Sequence, residues 1–159
     1  MEDNYNNLLG VIRDFCLLVD HVEGYRRGIW LLEMEQLLPQ IADGMSRLKM
    51  EVEYSFFVLP DLEYRFRMYT RLKSFLGDLD DYVLAGDGDE SDERSGSLAD
   101  DFTDIYFELS RGLDLLDADP TDPTPALTLW HTGHVLHWHQ HVDDALKRLY
   151  ELGAMGLLG

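Results

Sequence analysis

Lysine is nearly missing from this chain: Lys49, Lys73 and Lys147 are the only three. Cations as a class are few, with 13 Lys and Arg against 31 Asp and Glu, so the formal net charge is −18. Such an excess disfavours direct binding to nucleic acid or to an anionic membrane. It fits a basic protein partner, divalent cations or a high-salt host. Cysteine is scarcer still. Cys16 stands alone inside an apolar stripe, which excludes an internal disulfide framework and any thiolate metal cluster. No apolar run reaches membrane length. The first residues, Met-Glu-Asp-Asn, are acidic and do not read as a signal or transit peptide, so the expectation is a cytoplasmic protein. Catalytic motifs are missing as well. There is no Gly-x-Ser-x-Gly elbow, phosphate loop or dinucleotide fingerprint, no His-Glu-x-x-His, and no Glu-x-x-His on two helices.

What the chain does have is helical periodicity. Its 159 residues with 45% apolar content read as a single domain, 1–159, able to bury a core. Leu8, Ile12, Phe15, Val19 and Val22 mark a first helix over about 3–22. A second runs from about Tyr25 through Leu31, Met34, Leu38, Ile41 and Met45, and Pro39 should kink or split it. The paired Arg26 and Arg27 inside it read as anchors for an internal carboxylate or, second to that, an anionic ligand. Residues 51–59 read as an extended connector or irregular helix end that packs Phe56 and Phe57 into the core. Pro60-Asp61 opens a third helix to Leu76, while 77–85 is open between loop and further turn. The stretch 86–97 has no apolar residue and reads as a flexible acidic loop. Ser97 then caps a fourth helix, with Asp100 placed for a capping box. Thr124 and Pro125 open the last long helix, and the Gly-rich tail 153–159 is expected to fray. The predicted fold is all-α: an antiparallel bundle of about five helices.

The last helix, over 125–152, carries five of the six histidines and two of the three tryptophans. A helical wheel puts His131, Val135, Trp138, Val142, Ala145 and Leu149 on one face. His134, His137 and His141, followed by Asp144, run i, i+3, i+7, i+10 along its flank. On the fourth helix Asp101, Asp104 and Glu108 run i, i+3, i+7. A short loop makes the two helices antiparallel neighbours, which predicts the pairs Glu108–His134, Asp104–His137 and Asp101–His141. Such a seam can be an ion-pair ladder that fixes register and responds to pH. It can equally be a mixed nitrogen and oxygen metal site, suited to zinc, iron or manganese, with leftover carboxylates orienting the imidazoles. Asp100, Asp101 and Asp104 also echo the magnesium-holding helices of all-helical nucleotide pyrophosphohydrolases, but only Asp114 and Asp117 could supply a second acidic set.

Two segments carry a family resemblance. His137-Trp138-x-x-His141-x-x-Asp144-Ala145-Leu146 resembles the C-terminal signature of DUF5063, a bacterial all-helical family. Leu98-Ala99-Asp100-Asp101-Phe102-Thr103-Asp104-Ile105-Tyr106, with Gly112-Leu113 after it, resembles that family's penultimate helix, and Leu37-Leu38-Pro39 is similar too. His139 replaces the glycine of the family's His-Trp-Gly, and the acidic insert before Leu98 departs from the pattern. The resemblance implies a helical bundle and marks His137, Trp138, His141, Asp144 and Asp104 as family features. It implies no activity. The leading functional expectation is therefore a small acidic protein that binds a partner, as adaptor or regulator. The alternative is a metalloprotein or metal-dependent enzyme built on His134, His137, His141, Asp144, Asp101, Asp104 and Glu108.

Overall fold

The computed structural model describes residues 2–54, 61–84 and 94–159. Helix α1 (Glu2–Asp20) turns through a short 3-10 segment, Val22–Gly24, into α2 (Arg27–Ser46). The two lie antiparallel. Trp30 Nε1 donates to the Leu18 carbonyl at 2.8 Å, and Gly44 leaves room for Leu8. Pro39 lies inside α2 on its exposed side, and the helix runs through it without splitting. Arg27 does bridge internally, donating to the Leu76 carbonyl at 3.0 Å and to Asp78 at 2.8 Å.

Helix α3 (Leu62–Leu76) starts at Asp61, whose carboxylate accepts the Tyr64 N–H. The residues after it begin with a further turn, the 3-10 segment Gly77–Leu79, and then become a strand. Asp81–Leu84 (β1) pairs antiparallel with Arg94–Ser97 (β2), with Tyr82 opposite Gly96. The all-α expectation is thus right for the bundle and lacks this two-stranded sheet. The last four residues of the expected acidic loop form β2. The rest of that loop, like Phe56 and Phe57, lies outside the described residues.

Helix α4 (Leu98–Ala118) is the central element, packed against α1, α3 and the C-terminal helices. Ser97 Oγ accepts the Asp100 N–H, as the capping pattern requires. Buried Asp80 adds a second cap by accepting the Ala99 N–H at 2.7 Å, and Lys73 pairs with that carboxylate at 2.9 Å.

One helical rod then runs from Thr124 to Ala154 in three parts: α5 (Thr124–Gly133), a π-helical turn (His134–Trp138) and α6 (His139–Ala154). At its start Asp122, not Thr124, accepts an N–H, at 3.1 Å. At its end the helix continues past Gly153 where fraying was expected. Leu157 N–H reaches the Leu152 carbonyl, and Gly159 N–H reaches the Gly28 carbonyl at 2.9 Å. The bare Gly28 permits this approach, since a Cβ there would stand 2.6 Å from the Gly159 oxygen.

The three tryptophans are fully buried. Trp30 meets Phe75 and Phe102 edge-on, with ring centres at 5.5 and 5.1 Å. Trp130 seats on Gly112, where a Cβ would lie 2.0 Å from its Nε1, and that nitrogen donates to the Leu109 carbonyl. Among the described residues no helix is long and apolar enough to cross a membrane.

Candidate functional site

The seam between α4 and the C-terminal rod holds a buried carboxylate, Asp101, and a cluster of charged partners around it. Helical spacing puts Asp101, Asp104 and Glu108 on one side of α4. Asp101 is 3% exposed, which no carboxylate tolerates without partners. It has two. Tyr82 of β1 donates its hydroxyl to Oδ2, and His141 Nδ1 lies 2.7 Å from Oδ1. The other ring nitrogen of His141, Nε2, lies 2.8 Å from Asp104 Oδ2. Asp104 is gripped from its far side by Arg65 of α3, whose Nε donates to Oδ1 at 2.8 Å. The same guanidinium reaches Asp100 at 2.9 Å. A continuous chain therefore links Tyr82, Asp101, His141, Asp104 and Arg65 across three helices and the hairpin.

The electrostatics follow from those contacts. Burial alone would lower the pKa of His141, but hydrogen bonds to Asp101 and Asp104 and their charges lift it to about 10. At neutral pH His141 is an imidazolium held at both nitrogens. Burial pushes Asp101 up to about 6 against the pull of His141 and Tyr82. Burial acts on Asp104 too, yet His141 and Arg65 hold it below the usual carboxylate range. Toward solvent the contacts loosen. His137 Nδ1 stands 3.8 Å from Glu108 Oε1, which raises its pKa, and its side chain is 54% exposed.

Of the seven candidate residues, the structure brings together Asp101, Asp104, Glu108, His137 and His141. Two of the three expected pairs are found: His141 bonds Asp101 at 2.7 Å, and donor atoms of Asp104 and His137 lie within 4.8 Å of each other, although Asp104 itself bonds His141. The third is displaced, since Glu108 faces His137 rather than His134. His134 lies elsewhere, edge-on to Trp138 at 4.6 Å, with its carbonyl 2.9 Å from His139 Nδ1. Asp144 also leaves the group, pairing with Arg94 at 3.0 Å and accepting from Gln140. For His134 the π-helical turn is the reason. An α-helix returns to one face after seven residues, but the buried Trp130 and Trp138 are eight apart. The turn absorbs the extra residue and rotates everything before it relative to α6. Val135, placed on the core face by a uniform wheel, is instead 45% exposed.

Sequence reasoning missed Arg65 and Tyr82. Arg65 had a signal, because it heads the buried row Met68, Leu72, Leu76 at helical spacing, and a cation in line with an apolar stripe needs a carboxylate. Tyr82 had none, since its strand was not recognised.

Donor atoms of Asp104, His137 and His141 all lie within 4.8 Å of one another, and so do those of Asp100, Asp101 and His141. The first set includes an exposed imidazole and has Glu108 beside it. Gly133 keeps this corner open, since a Cβ there would stand 2.6 Å from Glu108 Oε2. A cleft of about 770 Å³ opens next to the network, with Arg65, Tyr82 and Asp100 in its wall.

Comparison with known proteins agrees with this architecture. The family model described as "Domain of unknown function (DUF5063)" matches residues 1–155. The crystal structure of protein BF1032 from Bacteroides fragilis is similar in fold, with a TM-score of 0.76 at 18% identity, over 94% of this chain and 91% of that one. No curated protein shows significant similarity.

Proposed function

The chain belongs to the DUF5063 family, and from that premise we propose that it is a metalloprotein whose centre is the seam between α4 and the C-terminal rod. His141 Nε2, Asp104 and His137 are the ligands, with Glu108 in reach as a fourth. The observation that carries the reading is the setting of His141. Its Nδ1 is committed to a deeply buried carboxylate, itself fixed by Tyr82, while Nε2 faces Asp104, with His137 in the same donor group. A metal-bound histidine uses its second nitrogen in this way, and the carboxylate behind it sets ring orientation and raises ligand basicity. Arg65 orients Asp104 from behind in the same sense. In the metal-free state a proton stands between Nε2 and Asp104, and a metal would take its place, so affinity rises with pH. Two nitrogens and one or two oxygens suit zinc, iron or manganese. The exposed side of His137 leaves a position for water or substrate, which a Lewis-acid centre would use.

The test is elemental analysis of protein purified without affinity tag or chelator, with melting temperature read before and after EDTA dialysis. Near-stoichiometric zinc, iron or manganese is expected, and its removal should lower the melting temperature. His141→Ala should abolish the metal, and Asp101→Asn should weaken it about 10–100-fold. Metal-free protein that no added divalent ion stabilises would end this reading.

A second reading is favoured by the charge distribution. Arg13, Arg27, Arg47, Arg71, Lys73 and Arg94 all engage carboxylates of the same chain, leaving the acidic excess uncompensated. A cytoplasmic adaptor that takes a basic protein partner would use that surface. Recovery of one specific basic partner by protein whose seam is mutated would favour this reading over the first.

A further inference from the structure

The start of α1, the end of α2 and the start of α5 line a second cavity, of about 560 Å³. We propose that it binds a small amphiphile with an apolar body and a carboxylate head, of the medium-chain fatty-acid class. The volume lies within the range of small-molecule sites. Part of the wall is apolar: Leu8 is buried, and Leu48, Met50 and Leu127 are only half-covered by the protein itself. Gly44 shapes that wall, because a Cβ there would stand 2.6 Å from Leu8 Cδ1.

The head is argued from charge. Exposed Arg47 and Lys49 stand at the mouth with Asp43, a local balance of one positive charge on a chain that carries −18 overall. Asp43 is already taken by Arg47 at 3.1 Å. Lys49 has no carboxylate partner among the described residues. Where carboxylates outnumber cations more than twofold, a lysine left free beside an apolar cavity is placed to receive an anion from outside. The exposed amides of Asn4, Asn7 and Gln40 add hydrogen-bonding capacity around the same opening. A basic head would meet Arg47 and Lys49 with like charge, so the class of ligand is anionic.

The experiment is calorimetric titration of the full chain with octanoate, with octanol as the uncharged control. One octanoate per chain is expected, with octanol about tenfold weaker. Lys49→Glu should weaken octanoate by about tenfold or more and leave octanol unchanged. Met50→Trp, which fills the cavity, should remove both, with helical content by circular dichroism confirming that each variant is folded. His141→Ala should not alter octanoate binding, which separates this site from the seam. No heat with wild-type protein would overturn the proposal. So would equal affinity for octanol, or octanoate binding that survives Met50→Trp.

Discussion

His141 is the residue on which the seam's energetics turn, because its charge is needed by two carboxylates at once. In the unfolded chain it titrates near 6.5, and in the metal-free folded protein Asp101 and Asp104 lift it to about 10. A raised pKa means that the folded state binds the proton more tightly. The resulting stability is therefore fully present below about pH 6.5 and is lost as pH climbs toward 10. Asp101 contributes in the same sense over a lower window, since burial lifts it from 3.8 to about 6. Comparison with His141→Gln isolates the histidine. Urea unfolding of EDTA-treated protein should show the variant far less stable than wild type at pH 6, with the gap narrowing steadily to pH 10. A gap that stays constant over that range would mean that His141 serves by packing and neutral hydrogen bonds alone. Much of this was legible in the sequence. A row of carboxylates facing a row of histidines, with Asp101 opposite His141, could be read from spacing alone. That His141 would take Asp104 as well, with a tyrosine and an arginine completing the chain, depends on elements distant in sequence.

At the scale of the element, the π-helical turn decides what could and could not be read. Helices α1, α3 and α4 keep one period throughout, and their buried rows were predictable because a single 3.6-residue repeat describes them. The C-terminal rod changes period in the middle. Its two halves are pinned separately, Trp130 on Gly112 and the Leu109 carbonyl, Trp138 and Val142 in the core beside α4. No local pattern announces this, since the extra residue is imposed by where two tryptophans seat. The β1–β2 hairpin was illegible for a related reason. Arg94–Ser97 has no apolar alternation, and its place is set by the Asp80 cap and by Tyr82 lying over Gly96. A deletion experiment tests the account of the π turn. Removing exposed Leu136 shortens the tryptophan spacing to two α-helical turns, so both seats survive, and the variant should melt cooperatively within a few degrees of wild type. Removing Lys147 instead throws Leu149 and Leu152 off the core face and should abolish cooperative melting. Equal damage from both deletions would show that the π turn is not a one-residue insertion in an otherwise regular helix.

For the molecule as a whole, the imbalance of charge sets how stability responds to salt. Exposed ion pairs such as Arg13–Asp117 and Arg47–Asp43 are each worth about 0–1 kcal/mol, and screening weakens them. Against them stands the mutual repulsion within a chain of 31 acidic and 13 basic residues, which screening relieves. At 0.15 M ionic strength the screening length is about 8 Å, shorter than most distances between exposed charges but longer than an ion pair. Long-range repulsion is therefore screened first and the short pairs last. The melting temperature of metal-free protein should consequently rise as sodium chloride goes from about 0.01 M to 0.15 M, most of the gain coming in that first interval. The buried Asp101–His141–Asp104 group, shielded from the ions, should not oppose it. Divalent zinc or manganese would act differently, saturating at one equivalent and needing His141. A melting temperature that falls on adding salt would show that surface pairs outweigh the global repulsion. The acidic excess would then have no cost to folding for a basic partner to relieve, and the case for such a partner would lose its thermodynamic half.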